Sequence, residues 1–128
     1  MMPKEPPGTA SGLADPSVTE LAANVGFDCV FIDGEHGVID RKNAMEHLMA
    51  VKGTDAASFY RVPSNSHTEI KKIIDFGPAG IIVPMVMNAE EAKAAIAAMR
   101  YPPVLGTAVA HRLAIDAAIS DSMLLRAS

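Results

Sequence analysis

The chain has 128 residues, of which 49% are hydrophobic and 20% charged, a composition typical of one globular domain rather than of a disordered segment. A net charge of −4 with scattered Lys and Arg argues against a nucleic-acid-binding protein, and the single cysteine, Cys29, excludes an internal disulfide or a cysteine-based zinc site. No stretch has the apolar length of a signal peptide or a membrane span. We therefore expect a soluble cytoplasmic protein that does not act on a membrane.

The first two predicted elements are a helix and a strand. Asp15 suits the N-cap position and Pro16 the first helical position, and Gly26 predicts the end of this helix. The next segment, DCVFID, is a short and nearly unbroken apolar run, which is typical of a strand buried on both faces. Apolar residues at helical spacing then predict a second helix over 40–53.

Strand and helix alternate twice more along the chain. Strands are predicted over 56–62 and 79–85, and helices over 66–77 and 88–100. A repeat of roughly 25 residues of this kind predicts βα units and a parallel sheet. The remaining residues, 104–128, follow the pattern less well and predict one strand and a final helix.

Chain length bears on the architecture of this sheet. A closed (β/α)₈ barrel takes about 250 residues, so a chain of 128 residues with about four to five βα units corresponds to part of a barrel. The fold class expected is therefore α/β, a partial (β/α)₈ barrel with parallel strands. An open parallel sheet of the flavodoxin type is the alternative.

Charged side chains follow the carboxyl ends of two predicted strands. Asp33, Glu35 and His36 come directly after the first of these strands, and Arg61 ends the next. In parallel α/β folds the active site lies outside the carboxyl ends of the strands. We therefore expect these four side chains to lie together at the edge of the sheet formed by the carboxyl ends of its strands, called the rim below. The alternative is a solvated turn with incidental charges.

Three residues have a possible chemical role. Histidine ordinarily titrates near neutrality, so His36 is the natural general base at the rim. Arg61 offers a planar, permanently charged fork for a carboxylate or an enolate, or is a surface salt-bridge partner. Asp75 lies near the end of its helix, where a carboxylate opposes the helix macrodipole; it is either an ordinary exposed residue or a partner that raises the basicity of a histidine.

The other three histidines are interpreted as structural. His47 is expected to be a solvated or half-buried helix residue, His67 lies near a helix start, and His111 falls in the less regular end of the chain. No two histidines have the i, i+4 spacing of a helical metal site.

Four separated segments resemble the HpcH/HpaI aldolase family, the metal-dependent (class II) aldolases of 2-oxo-3-deoxy acids and 4-hydroxy-2-oxo acids. The resemblance runs from about Gly12 to Pro103 and covers the amino-terminal half of such an enzyme. It implies a (β/α)₈ barrel, assembly into a homo-oligomer and cleavage of the substrate into pyruvate and an aldehyde. It also implies an organisation in which 1–103 form the amino-terminal half of the barrel domain and 104–128 a divergent, largely helical tail. The matching segments are GFDCVFIDGEHG, FYRVP, EIKKIIDFGPAGIIVPMVMNAEEA and RYPP.

The resemblance also implies roles for individual residues. His36 corresponds to the proton acceptor, Asp75 to the carboxylate that raises the basicity of that histidine, and Arg61 to the substrate-binding stabiliser of the transition state. The family uses a divalent metal (Mg, Mn or Co), held by a Glu and an Asp in later motifs of the QIE and GPxDL type. Neither motif occurs in this sequence, so no metal ligand is expected in this chain.

Two functional hypotheses follow. The first is an aldolase half-barrel that carries the acid/base and enolate-stabilising parts of the site, incomplete as an isolated chain. The alternative is a non-catalytic half-barrel assembly or binding protein derived from such an aldolase. An open-sheet nucleotide-binding module is disfavoured because no glycine-rich phosphate loop follows any predicted strand.

Overall fold

A computed structural model describes residues 7–100, which form four consecutive strand–helix units. The predicted tail, 104–128, and the proposed boundary at Pro103 lie outside the described residues. The elements are β1 (Gly8–Ser11), α1 (Pro16–Asn24), β2 (Cys29–Asp33), α2 (Arg41–Val51), β3 (Ala57–Arg61), α3 (His67–Ile74), β4 (Gly80–Ile82) and α4 (Ala89–Met99).

The strands form one parallel sheet in the order β1-β2-β3-β4. Because crossovers between parallel strands are right-handed, a strand order that never reverses brings every helix to the same face of the sheet. This is the arrangement of a barrel wall, whereas a flavodoxin-like sheet reverses its order at a switch point and carries helices on both faces. The strand order of residues 7–100 therefore favours a barrel segment over the open sheet.

The main core lies between the sheet and its helices. Ile32 and Tyr60 are directly opposite each other on β2 and β3 and are 0% and 3% exposed. Leu48 of α2 and Ile70 of α3 belong to the same buried cluster. Full burial of one such aliphatic side chain contributes about 1.5–3 kcal/mol, so this layer holds the strands in place and fixes where their carboxyl ends lie.

Side-chain caps begin three of the helices. Asp15 accepts from the Ser17 N–H at 2.9 Å, so the predicted N-cap of α1 is confirmed. Asn88 accepts from the Glu91 N–H at 2.9 Å and caps α4. Asp40 caps α2 in the same way. The longest of these helices have 11 residues, and within residues 7–100 no helix is long and apolar enough to cross a bilayer.

The strand β1 was not expected from the sequence pattern. Its residues are Gly, Thr, Ala and Ser, which lack the apolar run that identifies a buried strand. Gly8 lies directly opposite Cys29 of the neighbouring strand, where an added Cβ would lie only 2.7 Å from the cysteine sulfur. Pairing with β2 therefore defines this strand more than its own side chains do.

The expectation for His47 was wrong. Its side chain is 0% exposed, because α1 packs against α2 and covers it. Its Nδ1 lies 2.7 Å from the hydroxyl oxygen of Thr19, which is also fully buried. Burial lowers the pKa of this imidazole below its usual value, as expected of a structural histidine between two helices.

Candidate active site

The loop that follows β2 is attached to its neighbours on both sides. The Gly34 N–H donates to the Arg61 carbonyl at the end of β3, at 2.9 Å. The Val38 N–H donates to the Gly12 carbonyl in the loop after β1, at 3.0 Å. The loop is therefore held between two neighbouring strand ends, and the charged residues it carries have a defined position.

Two glycines of this loop permit that close approach. A Cβ on Gly34 would overlap the Tyr60 hydroxyl and lie 2.7 Å from the Arg61 carbonyl oxygen. A Cβ on Gly37 would overlap the Asp33 carbonyl and lie 2.9 Å from Gly12. Glycine is therefore required at both places because backbone segments approach too closely for a side chain.

We expect Gly34→Ala to lower the free energy of unfolding by about 1–3 kcal/mol, since the added methyl must displace buried neighbours. Urea denaturation measures this value. Gly12→Ala is the matched control, because its Cβ would meet Gly37 at 3.4 Å, an ordinary contact. Equal free energies of unfolding for the two variants would show that the close packing around Gly34 does not stabilise the fold.

Asp33 is the centre of the hydrogen bonds at the rim. Its Oδ1 accepts from the backbone N–H groups of Glu35 and His36, at 3.0 and 3.1 Å, and from Arg61 Nε at 3.0 Å. Its Oδ2 accepts from Arg61 Nη2 at 2.6 Å. The Arg61 guanidinium, aided by the two backbone N–H groups, lowers the pKa of Asp33 to about 2. Asp33 thus fixes both the loop and the arginine.

This depressed pKa predicts an acid-dependent stability. Asp33 ordinarily has a pKa of 3.8, so its ion pair stabilises the folded state above about pH 4 and is lost as the pH falls towards about 2. The shift corresponds to about 2 kcal/mol. Urea denaturation of the wild type and Asp33→Asn between about pH 5 and pH 2 should show their difference shrinking towards acid pH. A difference that does not change with pH would contradict the pairing.

Glu35 and His36 complete the rim cluster. The Glu35 Oε2 lies 3.2 Å from Arg61 Nε and 3.6 Å from His36 Nε2. The His36 side chain is 73% exposed, whereas those of Glu35 and Arg61 are 16% and 24% exposed. Arg61 also lies over the Phe31 ring, 5.4 Å from its centroid, which adds a cation–π contact. The cluster therefore combines an accessible base with a fixed cation.

Arg61 retains hydrogen-bond donors for a ligand. Its Nε and Nη2 are bonded to Asp33, whereas Nη1 has no hydrogen-bond partner among residues 7–100. A guanidinium has five N–H donors, so the Nη1 side is available to an anion. The sequence interpretation placed Arg61 as either a salt-bridge partner or a clamp, and the geometry allows it to be both.

The structure brings together His36 and Arg61 but not Asp75. Asp75 is the C-cap of α3 and is exposed. Just after it, the Ala79 N–H donates to the Ser58 carbonyl near the start of β3, at 2.8 Å. Asp75 therefore lies towards the amino-terminal ends of the strands, opposite the rim. The pairing of Asp75 with His36 stays a prediction, because a helix that follows a strand runs back along it and carries Asp75 away from the rim.

The described residues do not fit a divalent metal. Within residues 7–100, no group of three or more His, Cys, Asp or Glu side chains is placed to hold an ion. Asp33 and Glu35 are the carboxylates of the rim cluster, and both are already paired with Arg61. Ligands for a metal would have to come from residues other than these.

A second concave region lies at the opposite end of the sheet. It is an open hollow of about 420 Å³ between the turns that follow α1 and α2, lined by residues that include Asn24, Asp28 and Thr54. It has carboxylates but no cation or imidazole among its lining residues. The chemistry of the side chains therefore favours the rim.

Comparison with known proteins agrees with these features. The sequence matches the HpcH/HpaI aldolase/citrate lyase family over residues 11–120. The chain belongs to this family. The resemblance recognised in the sequence is thereby confirmed.

Individual family relatives cover the chain almost completely. A 5-keto-4-deoxy-D-glucarate aldolase of Enterobacter sp. (strain 638) is 40% identical over 116 residues, which are 89% of this chain and 45% of that protein. The crystal structure of the citrate synthase SbnG has a TM-score of 0.75 and 28% identity, over 88% of this chain and 48% of that one. A family protein from Burkholderia cenocepacia J2315, at 24% identity, shows the same fold with a TM-score of 0.71 over 96% of this chain and 51% of its own. The chain thus spans about half the length of these proteins, and the predicted partial (β/α)₈ barrel is confirmed.

Sequence interpretation missed part of the rim network. Asp33 and Glu35 were noted as ionisable residues after a strand, but neither was given a role at the site. The DGEH spacing next to a strand end was the available signal, because an aspartate there can accept the following backbone N–H groups.

Proposed function

We propose that this chain carries the acid/base and enolate-stabilising part of an aldolase that cleaves 4-hydroxy-2-oxo acids into pyruvate and an aldehyde. The observation that carries the proposal is the accessible imidazole of His36 beside the fixed guanidinium of Arg61. The match to proteins named 5-keto-4-deoxy-D-glucarate aldolase supports aldol cleavage of an oxo acid. Membership of the HpcH/HpaI family supports the same reaction class.

Each residue has a defined step in this reaction. His36 accepts the proton of the 4-hydroxyl group as the bond between C3 and C4 breaks and C4 becomes the aldehyde carbonyl. The electron pair of that bond moves onto the 2-oxo group and forms the pyruvate enolate. Arg61 Nη1 donates to the developing oxyanion. Transfer of the proton from His36 to C3 then gives pyruvate and restores the base.

The divalent metal (Mg, Mn or Co) implied by the family remains part of this proposal. Asp33 and Glu35 are engaged by Arg61, so its ligands would lie outside residues 7–100. The proton transfer is assigned to His36 and the stabilisation of the oxyanion to Arg61, and neither step is assigned to the metal.

Assembly into a homo-oligomer is also proposed. Asp75 lies at the opposite end of the sheet from His36, so it can raise the basicity of that histidine only from a second copy of the chain. Several apolar side chains are exposed on the loops of the rim, and their exposure supports the packing of another copy of the chain against them. They are Leu13, Val38, Met85 and Met87, which are 59–76% exposed.

The direct test is pyruvate release from a 4-hydroxy-2-oxo acid, followed with lactate dehydrogenase, with and without Mg²⁺, Mn²⁺ or Co²⁺. Because no metal ligand is expected in this chain, the wild type should release pyruvate only slowly, though faster than the uncatalysed reaction, and His36→Ala should not exceed the uncatalysed rate. Binding of the acid without release under any of these conditions would favour the non-catalytic binding protein instead.

A further inference from the structure

The two carboxylates beside Arg61 have different surroundings. Asp33 is saturated, because it accepts from two backbone N–H groups and from Nε and Nη2 of the arginine. Glu35 instead places one carboxylate oxygen, Oε2, against both the Arg61 guanidinium and the His36 imidazole, at 3.2 and 3.6 Å. Glu35 is therefore the carboxylate at the rim that contacts both of the groups assigned to catalysis.

These two contacts join a fixed group to a mobile one. The His36 side chain is 73% exposed, and an exposed side chain exchanges between staggered rotamers. The Glu35 side chain is only 16% exposed, its N–H is bonded to Asp33, and Arg61 pairs with its carboxylate. A fixed negative charge can restrict a neighbouring imidazole, most strongly when the ring carries a proton.

We propose that Glu35 is a positioning residue that couples Arg61 to His36. Its charge keeps Arg61 Nε on the side of the two carboxylates, so that Nη1 faces the ligand. The same charge favours ring orientations in which His36 Nε2 points towards Glu35, close to the arginine. The catalytic meaning of this coupling rests on the function proposed above, but the geometry can be measured without turnover.

Glu35→Gln is the informative substitution, since it preserves size and removes the charge. Glu20→Gln is its matched control, because Glu20 is an exposed residue of α1 outside the rim cluster. In the full chain, NMR would measure solvent exchange of the Arg61 Nε–Hε proton and carbon relaxation of the His36 ring. The Arg61 Nε–H keeps its hydrogen bond to Asp33 in this variant and loses only the ion pair with Glu35, so the exchange should speed by about two- to fivefold. The order parameter of the His36 ring should fall in the same variant, and Glu20→Gln should change neither signal.

Unchanged Arg61 exchange in folded Glu35→Gln would overturn the proposal. Faster exchange with unchanged His36 ring motion would overturn the coupling between them. If Glu35→Gln does not fold, Glu35→Asp keeps the charge but withdraws it by one methylene, and it must then show both changes for the proposal to stand. Both signals are recorded without substrate, so failure of the aldolase assay and failure of this coupling are distinct results.

Discussion

Replacement of His36 by alanine is expected to slow the exchange of pyruvate methyl protons with D₂O by about 10²–10⁴-fold, the usual contribution of a general acid or base. The same base that receives the hydroxyl proton in cleavage must exchange the C3 proton of pyruvate, and this half-reaction needs no aldehyde. Loss of the methyl signal in proton NMR measures the rate, with the divalent cation held constant.

His67→Ala is the control for this experiment. His67 is exposed at the beginning of α3, at the same end of the sheet as the rim. It takes part in none of the contacts given for the rim cluster. Its substitution should leave the exchange rate close to that of the wild type. An equal loss in the two variants, or a wild type that exchanges no faster than the buffer, would remove His36 from the role of base.

Arg61→Lys is expected to lower the same exchange rate by about 10²–10³-fold, the cost of removing one preorganised donor to an oxyanion. Lysine keeps the positive charge but has a single ammonium in place of the planar fork. It can therefore not bind both oxygens of Asp33 and present a further N–H group to the enolate in the same geometry. Stability should fall as well, because the two-point pairing with Asp33 is lost, so circular dichroism would check that the variant is folded under the assay conditions.

Arg41→Lys provides the matched control for that variant. Arg41 is exposed at the beginning of α2 and lies over the Phe76 ring, 5.6 Å from its centroid, and it belongs to none of the contacts given for the rim cluster. Its substitution should not change the exchange rate. A wild-type rate in Arg61→Lys would mean that a positive charge alone suffices. The role given to the planar guanidinium, donation to the enolate while it is bound to Asp33, would then be wrong.

Much of the fold follows from local sequence signals. The apolar run of β2 and the capping residues Asp15 and Asn88 define elements without reference to the rest of the molecule. β1 could not be identified in this way, because its small residues form no apolar run and its pairing with β2 defines the strand. The burial of His47 was missed for a similar reason, since it depends on how α1 lies across α2.

The site was predictable in location but not in its contacts. Parallel strands bring their carboxyl ends together, so Asp33, His36 and Arg61 could be placed at one rim. The direct pairing of Asp33 with Arg61 depends on strand register, which neither segment shows alone. Family resemblance gave Asp75 a role, but the return path of α3, which carries Asp75 away from the rim, could not be seen from its own segment.

The binding of pyruvate to isotope-labelled protein, mapped by backbone and side-chain NMR shifts, tests most directly whether the rim is the functional site. Pyruvate should shift the signals of Glu35, His36 and Arg61, and acetate, which lacks the 2-oxo group, should shift them less. Shifts confined to Asn24, Asp28 and Thr54 around the opposite hollow, or no shifts in a folded protein, would contradict the assignment of the rim as the 2-oxo acid site.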